Sequence, residues 1–196
     1  MTESRIGHLI VISGLPGVGK SAVSREVAAR AGAVHLSIDP VHDALLASGL
    51  ADGWHVGVGA YESVRVMAES NLSLGLPVVV DAVNGSEEAR HTWRPASRRT
   101  GVQVTWVVLT CSNDIEHRRR LEGRKRGFEH LPEPTWSKVQ QQAVEYPAWR
   151  DDHLTVDTYG TSPDTIADRI VERVTHASGG VVRRPFCTTC WRLPAD

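Results

Sequence analysis

The stretch Gly14-Leu15-Pro16-Gly17-Val18-Gly19-Lys20-Ser21 decides the fold that this sequence predicts. It follows the apolar run Leu9-Ile10-Val11-Ile12 and leads into a helical pattern over Ala22–Ala31. A strand, a glycine-rich turn and a helix in this order are the context in which G-x-x-x-x-G-K-[S/T] forms a phosphate-binding loop (P-loop). The motif therefore predicts a site for a nucleoside triphosphate.

The fixed positions of this loop each have a physical role. Its glycines allow backbone angles that let successive N–H groups surround an anion. The helix that starts near Lys20 directs free N–H groups at the same phosphates, and Lys20 can reach the β- and γ-phosphates. The Ser21 hydroxyl is expected to be a magnesium ligand. The predicted nucleotide-binding residues are Gly14, Pro16, Gly17, Val18, Gly19, Lys20, Ser21 and Ala22.

Composition sets broad limits on the class of protein. A chain of 196 residues with 41% hydrophobic and 23% charged residues fits one α/β domain. The net charge of −1 gives no reason to expect a nucleic-acid or membrane partner. The first strand begins soon after Met1 and no apolar run is long enough to span a bilayer, so we expect no signal peptide and a cytoplasmic protein.

Apolar and amphipathic patterns alternate along the chain. Strands are predicted at His8–Ser13, Val34–Ile38, Pro77–Asp81, Val102–Leu109 and Leu154–Asp157. Helices are predicted at Lys20–Ala31, Val41–Ser48, Ala60–Leu74, Ser86–Thr100, Asn113–Arg126, Trp136–Tyr146 and Pro163–His176, with a mobile loop at Gly49–Gly59. This alternation predicts a single P-loop NTPase domain over residues 1–178, with a doubly wound five-stranded parallel sheet covered by helices on both faces. Residues 179–196 are interpreted as a tail.

Two carboxylates follow predicted strands, and ligands of open parallel sheets bind at the carboxyl ends of strands. Asp81 follows four apolar residues, which is typical of the acid that supports magnesium in P-loop enzymes, although it could instead cap the next turn. Asp39 could orient an acceptor hydroxyl and accept its proton, or it could cap the helix at Val41–Ser48. The neighbouring His42 and Asp43 are weaker candidates.

A basic run, Arg118–Arg126, holds six basic residues and one acid, Glu122. It could be a solvated helix face, or it could belong to a lid, about residues 118–135, that closes over the nucleotide. Mutual repulsion among the basic residues favours the lid. Arg120 and Arg124 are spaced i and i+4 on the predicted helix, so they are the candidates to neutralise the transferred group.

Cys187 and Cys190 in the tail have the spacing of half a zinc site. Two further ligands would be needed, and a homodimer could supply them. The alternative is a tail with two unremarkable cysteines.

Several of these stretches resemble one family. They are Gly14–Ser21, Ile38-Asp39, Val80–Asn84 and Glu116–Arg124. The chain resembles the small P-loop kinases grouped as AAA family ATPases (AAA_33-like), which are similar to chloramphenicol phosphotransferases, gluconate kinases and polynucleotide kinase domains. The resemblance covers residues 9–174.

The resemblance implies ATP and Mg²⁺, Asp39 as base, and lid arginines around Arg120 and Arg124. It also implies that the loop after the last strand lies near the adenine, and that Asn84 orients the magnesium shell or the acceptor. Polynucleotide kinases carry an arginine shortly after the catalytic Asp, whereas this chain reads Pro40–Asp43 there. That departure argues against a nucleic-acid substrate.

These observations predict a cytoplasmic, ATP- and Mg²⁺-dependent kinase that phosphorylates a hydroxyl of a small metabolite or natural product. Its catalytic residues would be Asp39, Lys20, Arg120 and Arg124, with Ser21 and Asp81 holding the metal. The acceptor pocket is expected between residues 39–61 and 86–93. Two alternatives stay open: a nucleotide, polynucleotide or nucleotide-sugar kinase, and a non-catalytic ATP-gated binding protein.

Overall fold

The computed structural model describes residues 7–177, which form five strands and eight helices. The strands are β1 (Leu9–Ser13), β2 (Val34–Ser37), β3 (Val78–Asp81), β4 (Val104–Thr110) and β5 (His153–Asp157). The helices are α1 (Lys20–Ala31), α2 (Ile38–Ala47), α3 (Trp54–Ser73), α4 (Glu87–His91), α5 (Trp93–Thr100), α6 (Asp114–Gly123), α7 (Trp136–Glu145) and α8 (Pro163–Ala177). The tail with Cys187 and Cys190 lies outside the described residues.

The strands form one parallel sheet in the order β2-β3-β1-β4-β5. β1 lies at its centre, and all five of its residues are buried. In the register, Asp81 of β3 lies opposite Ile12 of β1 and Ser37 of β2. The ends of these three strands therefore bring the P-loop, Asp81 and the start of α2 to one edge of the sheet.

Side chains of β1 alternate between two apolar cores because successive residues of a strand point to opposite faces. Leu9 and Val11 pack on one side, against α3 and α5. Ile10 and Ile12 pack on the other side, against α1 and α8. The predicted sheet with helices on both faces is confirmed.

Helix α3 begins at Trp54, so the second half of the predicted loop at Gly49–Gly59 is wrong. The Gly57 N–H donates to the Gly53 carbonyl at 3.1 Å, which starts the helix despite its glycines. A buried stripe at every fourth position follows: Val56, Ala60, Val64, Ala68 and Leu72. Packing of this stripe offsets the cost of glycine in a helix, about 1 kcal/mol per residue.

The predicted helix over Ser86–Thr100 is two helices that meet at Thr92. Pro95 has no N–H for the His91 carbonyl, and in a continuous helix its ring would clash with that carbonyl. The predicted cap is confirmed, because Ser86 Oγ accepts from the Ala89 N–H at 3.2 Å. Between residues 7 and 177, no helix is long and apolar enough to cross a bilayer.

The turn after β3 is held by Asn84, which is fully buried and has a φ of 50°. Its side-chain amide donates to Ser13 Oγ at 2.8 Å and accepts from Trp93 Nε1 at 2.9 Å. Its backbone N–H donates to the Tyr61 hydroxyl at 3.1 Å, and its carbonyl accepts from Arg90 Nε at 3.2 Å. Asn84 thus joins β1, α3, α4 and α5, whereas the resemblance implied a role toward magnesium or the acceptor.

Arg90 is a second buried polar anchor, with no exposed surface. Besides Asn84, it donates to the carbonyls of Ala148 at 2.9 Å and Pro147 at 2.7 Å. Its guanidinium carbon lies 3.9 Å from the centre of the Trp149 ring. The planar, multiply donating guanidinium suits this position, since three acceptors and an aromatic face surround it.

We expect Arg90→Lys to lower the free energy of unfolding by about 2–4 kcal/mol, because an ammonium cannot reach all three carbonyls and keeps a buried charge. Urea denaturation followed by circular dichroism measures this change. Arg98→Lys on exposed α5 surface is the matched control and should stay within about 0.5 kcal/mol of the parent. Equal stability of the two variants would contradict the anchoring role of Arg90.

Candidate active site

The P-loop has the backbone that its glycines predict. Gly14, Gly17 and Gly19 have φ angles of 140°, 90° and 98°. A Cβ at Gly14 would lie 2.3 Å from the Leu109 carbonyl oxygen, so a side chain there would force the loop away from β4. Val18 is buried in the core beside α1 and fixes the middle of the loop.

Helix α1 begins at Lys20, directly after the loop, with no side-chain cap and no acid in its first turn. Its first N–H groups can therefore donate to an anion, and the positive end of the helix dipole also favours an anion there. The Ser21 hydroxyl lies on the exposed side of this turn. This arrangement fits a polyphosphate.

Lys20 is the centre of charge in the site. Its side chain is buried, and Nζ donates to the Leu15 carbonyl at 3.0 Å. Burial lowers the pKa of Lys20, while Asp81 and Asp39 act to raise it and Arg124 and Arg126 add to the lowering. The pKa of Lys20 thus responds to two acids and two arginines from distant parts of the sequence.

Asp81 ends β3 and is 4% exposed. Its Oδ2 lies 3.2 Å from Nε2 of His35, on the neighbouring strand β2. Sequence reasoning missed His35, since the pairing of β2 with β3 is not visible in the sequence. Within residues 7–177, no three His, Cys, Asp or Glu side chains cluster to hold a metal. A cation here would be held by one carboxylate, a hydroxyl and phosphates, a donor set that suits Mg²⁺.

Asp39 lies in the first turn of α2, and its side chain is 41% exposed. Its Oδ2 accepts a short hydrogen bond from Nη1 of Arg126. Arg126 also donates from Nε to Glu133 at 2.5 Å. The sequence placed Arg126 in the basic run but gave no reason to join it to Asp39, 87 residues away.

Arg120 and Arg124 do not share a helix face, so that prediction is wrong. Helix α6 ends at Gly123, and Arg124 has extended backbone with φ −78° and ψ 144°. Arg120 donates to Glu116 at 2.7 Å and to the Thr158 hydroxyl, after β5, at 3.0 Å. Arg124 instead contacts Glu133 at 2.8 Å.

The basic run is compensated by acids, mostly outside it, so the repulsion argument does not hold. Glu116 pairs with Arg119 and Arg120, Glu122 with Arg118, and Glu133 with Arg124 and Arg126. Arg119 and Arg120 lower the pKa of Glu116 to about 2, and the hydrogen bond from Arg119 is the largest cause. A count of charges within residues 118–126 leaves out the acids that lie before or after this run.

His117 contacts the P-loop, a role that the sequence did not predict. Its Nε2 lies 2.8 Å from the Pro16 carbonyl oxygen, so this nitrogen carries the proton. Burial lowers the pKa of His117, which keeps the ring neutral, and the ring packs edge-on against Trp136 with centroids 5.0 Å apart. A Cβ at Gly17 would lie 3.1 Å from this ring, which is a second reason for glycine there.

Asp43 anchors the segment that was predicted to form a lid. Its Oδ1 accepts from the backbone N–H groups of His130 at 2.8 Å and Leu131 at 2.7 Å. Desolvation acts to raise the pKa of Asp43, but these backbone donors outweigh it and hold the pKa below its ordinary value of 3.8. Its neighbour His42 lies 3.3 Å from Asp52. The structure thus shows both of these weaker candidates in contacts with protein groups.

A cavity of about 650 Å³ lies where the acceptor pocket was expected, between α3 and the α4–α5 pair. Trp54 and Tyr61 line it on one side and residues 86–92 on the other. A second cavity of about 640 Å³ lies behind the P-loop, against Cys111, His117 and Trp136. The first cavity is lined by residues of α3, α4 and α5, by Ser86 and by Thr92, and not by Asp39 or the P-loop.

Fold and site together define a P-loop nucleotide-binding protein: a glycine loop on a central parallel strand, a buried lysine, and carboxylates at neighbouring strand ends. The chain belongs to the AAA domain family AAA_33, which matches residues 9–146. It is similar to a shikimate kinase of Paramagnetospirillum magneticum (strain ATCC 700264 / AMB-1), with 28% identity over 178 residues that cover 88% of this chain and 87% of the relative.

Solved structures share the fold. A sugar kinase from Janibacter sp. HTCC2649 has a TM-score of 0.66 and 17% identity, over 86% of this chain and 94% of the other. A gluconokinase from Sinorhizobium meliloti 1021 has a TM-score of 0.57 and 19% identity, over 89% of this chain and 99% of the other. The predicted family and fold class are confirmed.

Because folding lowers the pKa of Asp43, its anchoring of the lid should be complete above pH 3.8 and be lost as the pH falls through the lower folded value. At pH 7, Asp43→Ala should speed hydrogen exchange of the His130 and Leu131 amides by roughly tenfold to a hundredfold. Asp152→Ala, at a side chain 96% exposed, should change neither amide. The difference from the parent should shrink below pH 3.8; unchanged exchange at pH 7 would contradict the anchor.

Proposed function

We propose that this protein is an ATP- and Mg²⁺-dependent kinase that transfers the γ-phosphoryl group to a hydroxyl of a small metabolite or natural product. One observation carries the proposal: Asp81 at the end of β3, Asp39 in the first turn of α2 with Arg126 bonded to it, and the buried Lys20 of the P-loop lie at one edge of the sheet. A lysine and arginines suit the triphosphate, and a carboxylate suits the acceptor hydroxyl. The names of the relatives, a shikimate kinase, a sugar kinase and a gluconokinase, support small-molecule acceptors.

The P-loop N–H groups and Lys20 would hold the β- and γ-phosphates. Ser21 and Asp81 would hold Mg²⁺, which when bound neutralises charge on the phosphates. Arg120, against Thr158 after β5, would lie on the adenine side, as the resemblance implies. Each of these groups is already on the edge of the sheet where ligands of this fold class bind.

Asp39 would act as the general base. It would accept the proton of the acceptor hydroxyl as the acceptor oxygen bonds to the γ-phosphorus and the bond to the β–γ bridging oxygen breaks, which releases ADP. In this structure the Asp39 carboxylate accepts a hydrogen bond from Arg126. If the Arg126 side chain moved from Asp39 to the γ-phosphoryl group, one movement of the lid would free the base and neutralise charge on the transferred group.

Lys20→Ala should abolish nucleotide use, because within residues 7–177 no other lysine is buried at the loop to hold the β- and γ-phosphates. ATP affinity by calorimetry and ADP release measure this loss. Lys138→Ala on the exposed face of α7 keeps the same change in charge and should behave as the parent. Unchanged ATP turnover in Lys20→Ala would refute the site.

Asp39→Asn should reduce phosphoryl transfer by about 10²-fold or more while ATP affinity stays roughly constant, since the amide keeps the shape but cannot accept the proton. Asp152→Asn is the control for loss of one surface charge. A metabolite library with γ-labelled ATP supplies the acceptor for this assay. Transfer at the parental rate would leave Asp39 as no more than a helix-terminal residue.

The same assays test the alternative of an ATP-gated binding protein, which the ion pair on Asp39 favours. That alternative predicts tight ATP binding, no labelled product from any acceptor, and no effect of Asp39→Asn. A nucleotide or nucleotide-sugar kinase would instead give a labelled nucleotide product in the library. The identity of the product therefore separates the three functions.

A further inference from the structure

The cavity between α3 and the α4–α5 pair has an unusually apolar wall. Trp54 and Val58 form one side and Ala89 and Pro95 the other. Trp54 is 67% exposed and Val58 is 40% exposed. Large apolar side chains that face water around a cavity of this size are typical of a small-molecule site.

Tyr61 connects this cavity to the proposed chemistry. Its ring lines the cavity, and its hydroxyl accepts from the Asn84 N–H at 3.1 Å. Burial raises the pKa of Tyr61, and Asp39 and Asp81 lie close enough to raise it further. Tyr61 therefore joins the cavity to the turn that follows Asp81 by three residues.

The charged groups around the cavity are unsuited to an anion. Among the described lining residues are three glutamates, Glu62, Glu87 and Glu88, and no lysine or arginine. The lining histidine, His91, is exposed, and its Nδ1 lies 3.4 Å from Nη1 of Arg94. The nearest arginines are already engaged, since Arg65 donates to Glu62 at 2.8 Å and Arg94 donates to Glu87 at 2.7 Å. A carboxylate that entered would lose its hydration without gaining a cationic partner.

From the apolar wall and the missing cation we infer that the cavity is the acceptor site and takes a hydrophobic alcohol without negative charge. The apolar body contacts Trp54 and Val58, and the hydroxyl lies at the Tyr61 end. This inference rests on the proposed kinase function and narrows its acceptor class. It separates this chain from kinases whose acceptors are sugar acids or other carboxylates.

A matched pair of probes tests the inference: 4-biphenylmethanol and the same alcohol with a 4′-carboxylate. Calorimetry measures binding to the full chain, and γ-labelled ATP measures transfer. The neutral alcohol should bind and be phosphorylated at least about tenfold better than the carboxylate, because only the latter must bury an unpaired charge. Shikimate and gluconate serve as further anionic acceptors and should be poorer still.

Substitutions on α3 locate the site. Val58→Asp should weaken binding of the neutral probe by about tenfold or more, since it puts a charge in the apolar wall. Val66→Asp is the matched control, on the same helix, 53% exposed and also four residues from Glu62. Val58→Arg should strengthen binding of the carboxylate probe, whereas Val66→Arg should not.

The outcomes separate the two proposals. One outcome is that Val58→Asp weakens binding of the neutral probe while no alcohol is phosphorylated. In that case the kinase function is wrong, and the inferred ligand class of the cavity stands. If transfer occurs but favours the carboxylates, or if Val58→Asp and Val66→Asp behave alike, the acceptor inference is wrong and the kinase function stands. ATP affinity is measured for every variant and should match the parent.

Discussion

Four hydrogen bonds to one asparagine hold the working parts of this protein together. Asn84 follows Asp81 by three residues and bonds to Ser13, Tyr61, Arg90 and Trp93. Because Ser13 is the last residue of β1, the bond to it sets the turn after β3 against the start of the P-loop. The bonds to α3, α4 and α5 set the walls of the cavity against the same turn. The phosphate side and the proposed acceptor side therefore share one buried polar anchor.

The arginines of the predicted lid are paired with carboxylates of the protein. Arg126 bonds to Asp39 and Glu133, Arg124 bonds to Glu133, and Asp43 holds two backbone N–H groups of the lid. A bound polyphosphate would compete with these carboxylates for the same guanidinium groups. Lid closure in the proposed kinase would then be an exchange of partners, which costs less than bringing together unpaired cations.

Local patterns predicted the sheet, the P-loop and most helices within a few residues, but they missed some helix boundaries and every contact between distant residues. Glycines suggested a loop at residues 49–59, but the buried stripe of α3 makes residues 54–59 helical. The basic run looked like one helix, but Gly123 ends α6 and places Arg124 on extended chain. Its five arginines are all paired with acids, and three of these acids, Glu116, Glu133 and Asp39, lie outside the run. The misjudged charge has distant partners as its cause, whereas the helix breaks at Gly123 and Pro95 have local causes.

The sequence by itself determined the phosphate loop, the alternation of strands and helices, and the carboxylates Asp39 and Asp81 at strand ends, because these depend on residues close together in the chain. Only the tertiary structure decided that Arg126 contacts Asp39, that His117 supports the loop, and that Asn84 ties the turn to four elements. Strand order and register bring those groups together across tens of residues. Local periodicity carries no information about which distant side chains will meet, so their roles became visible only in the folded chain.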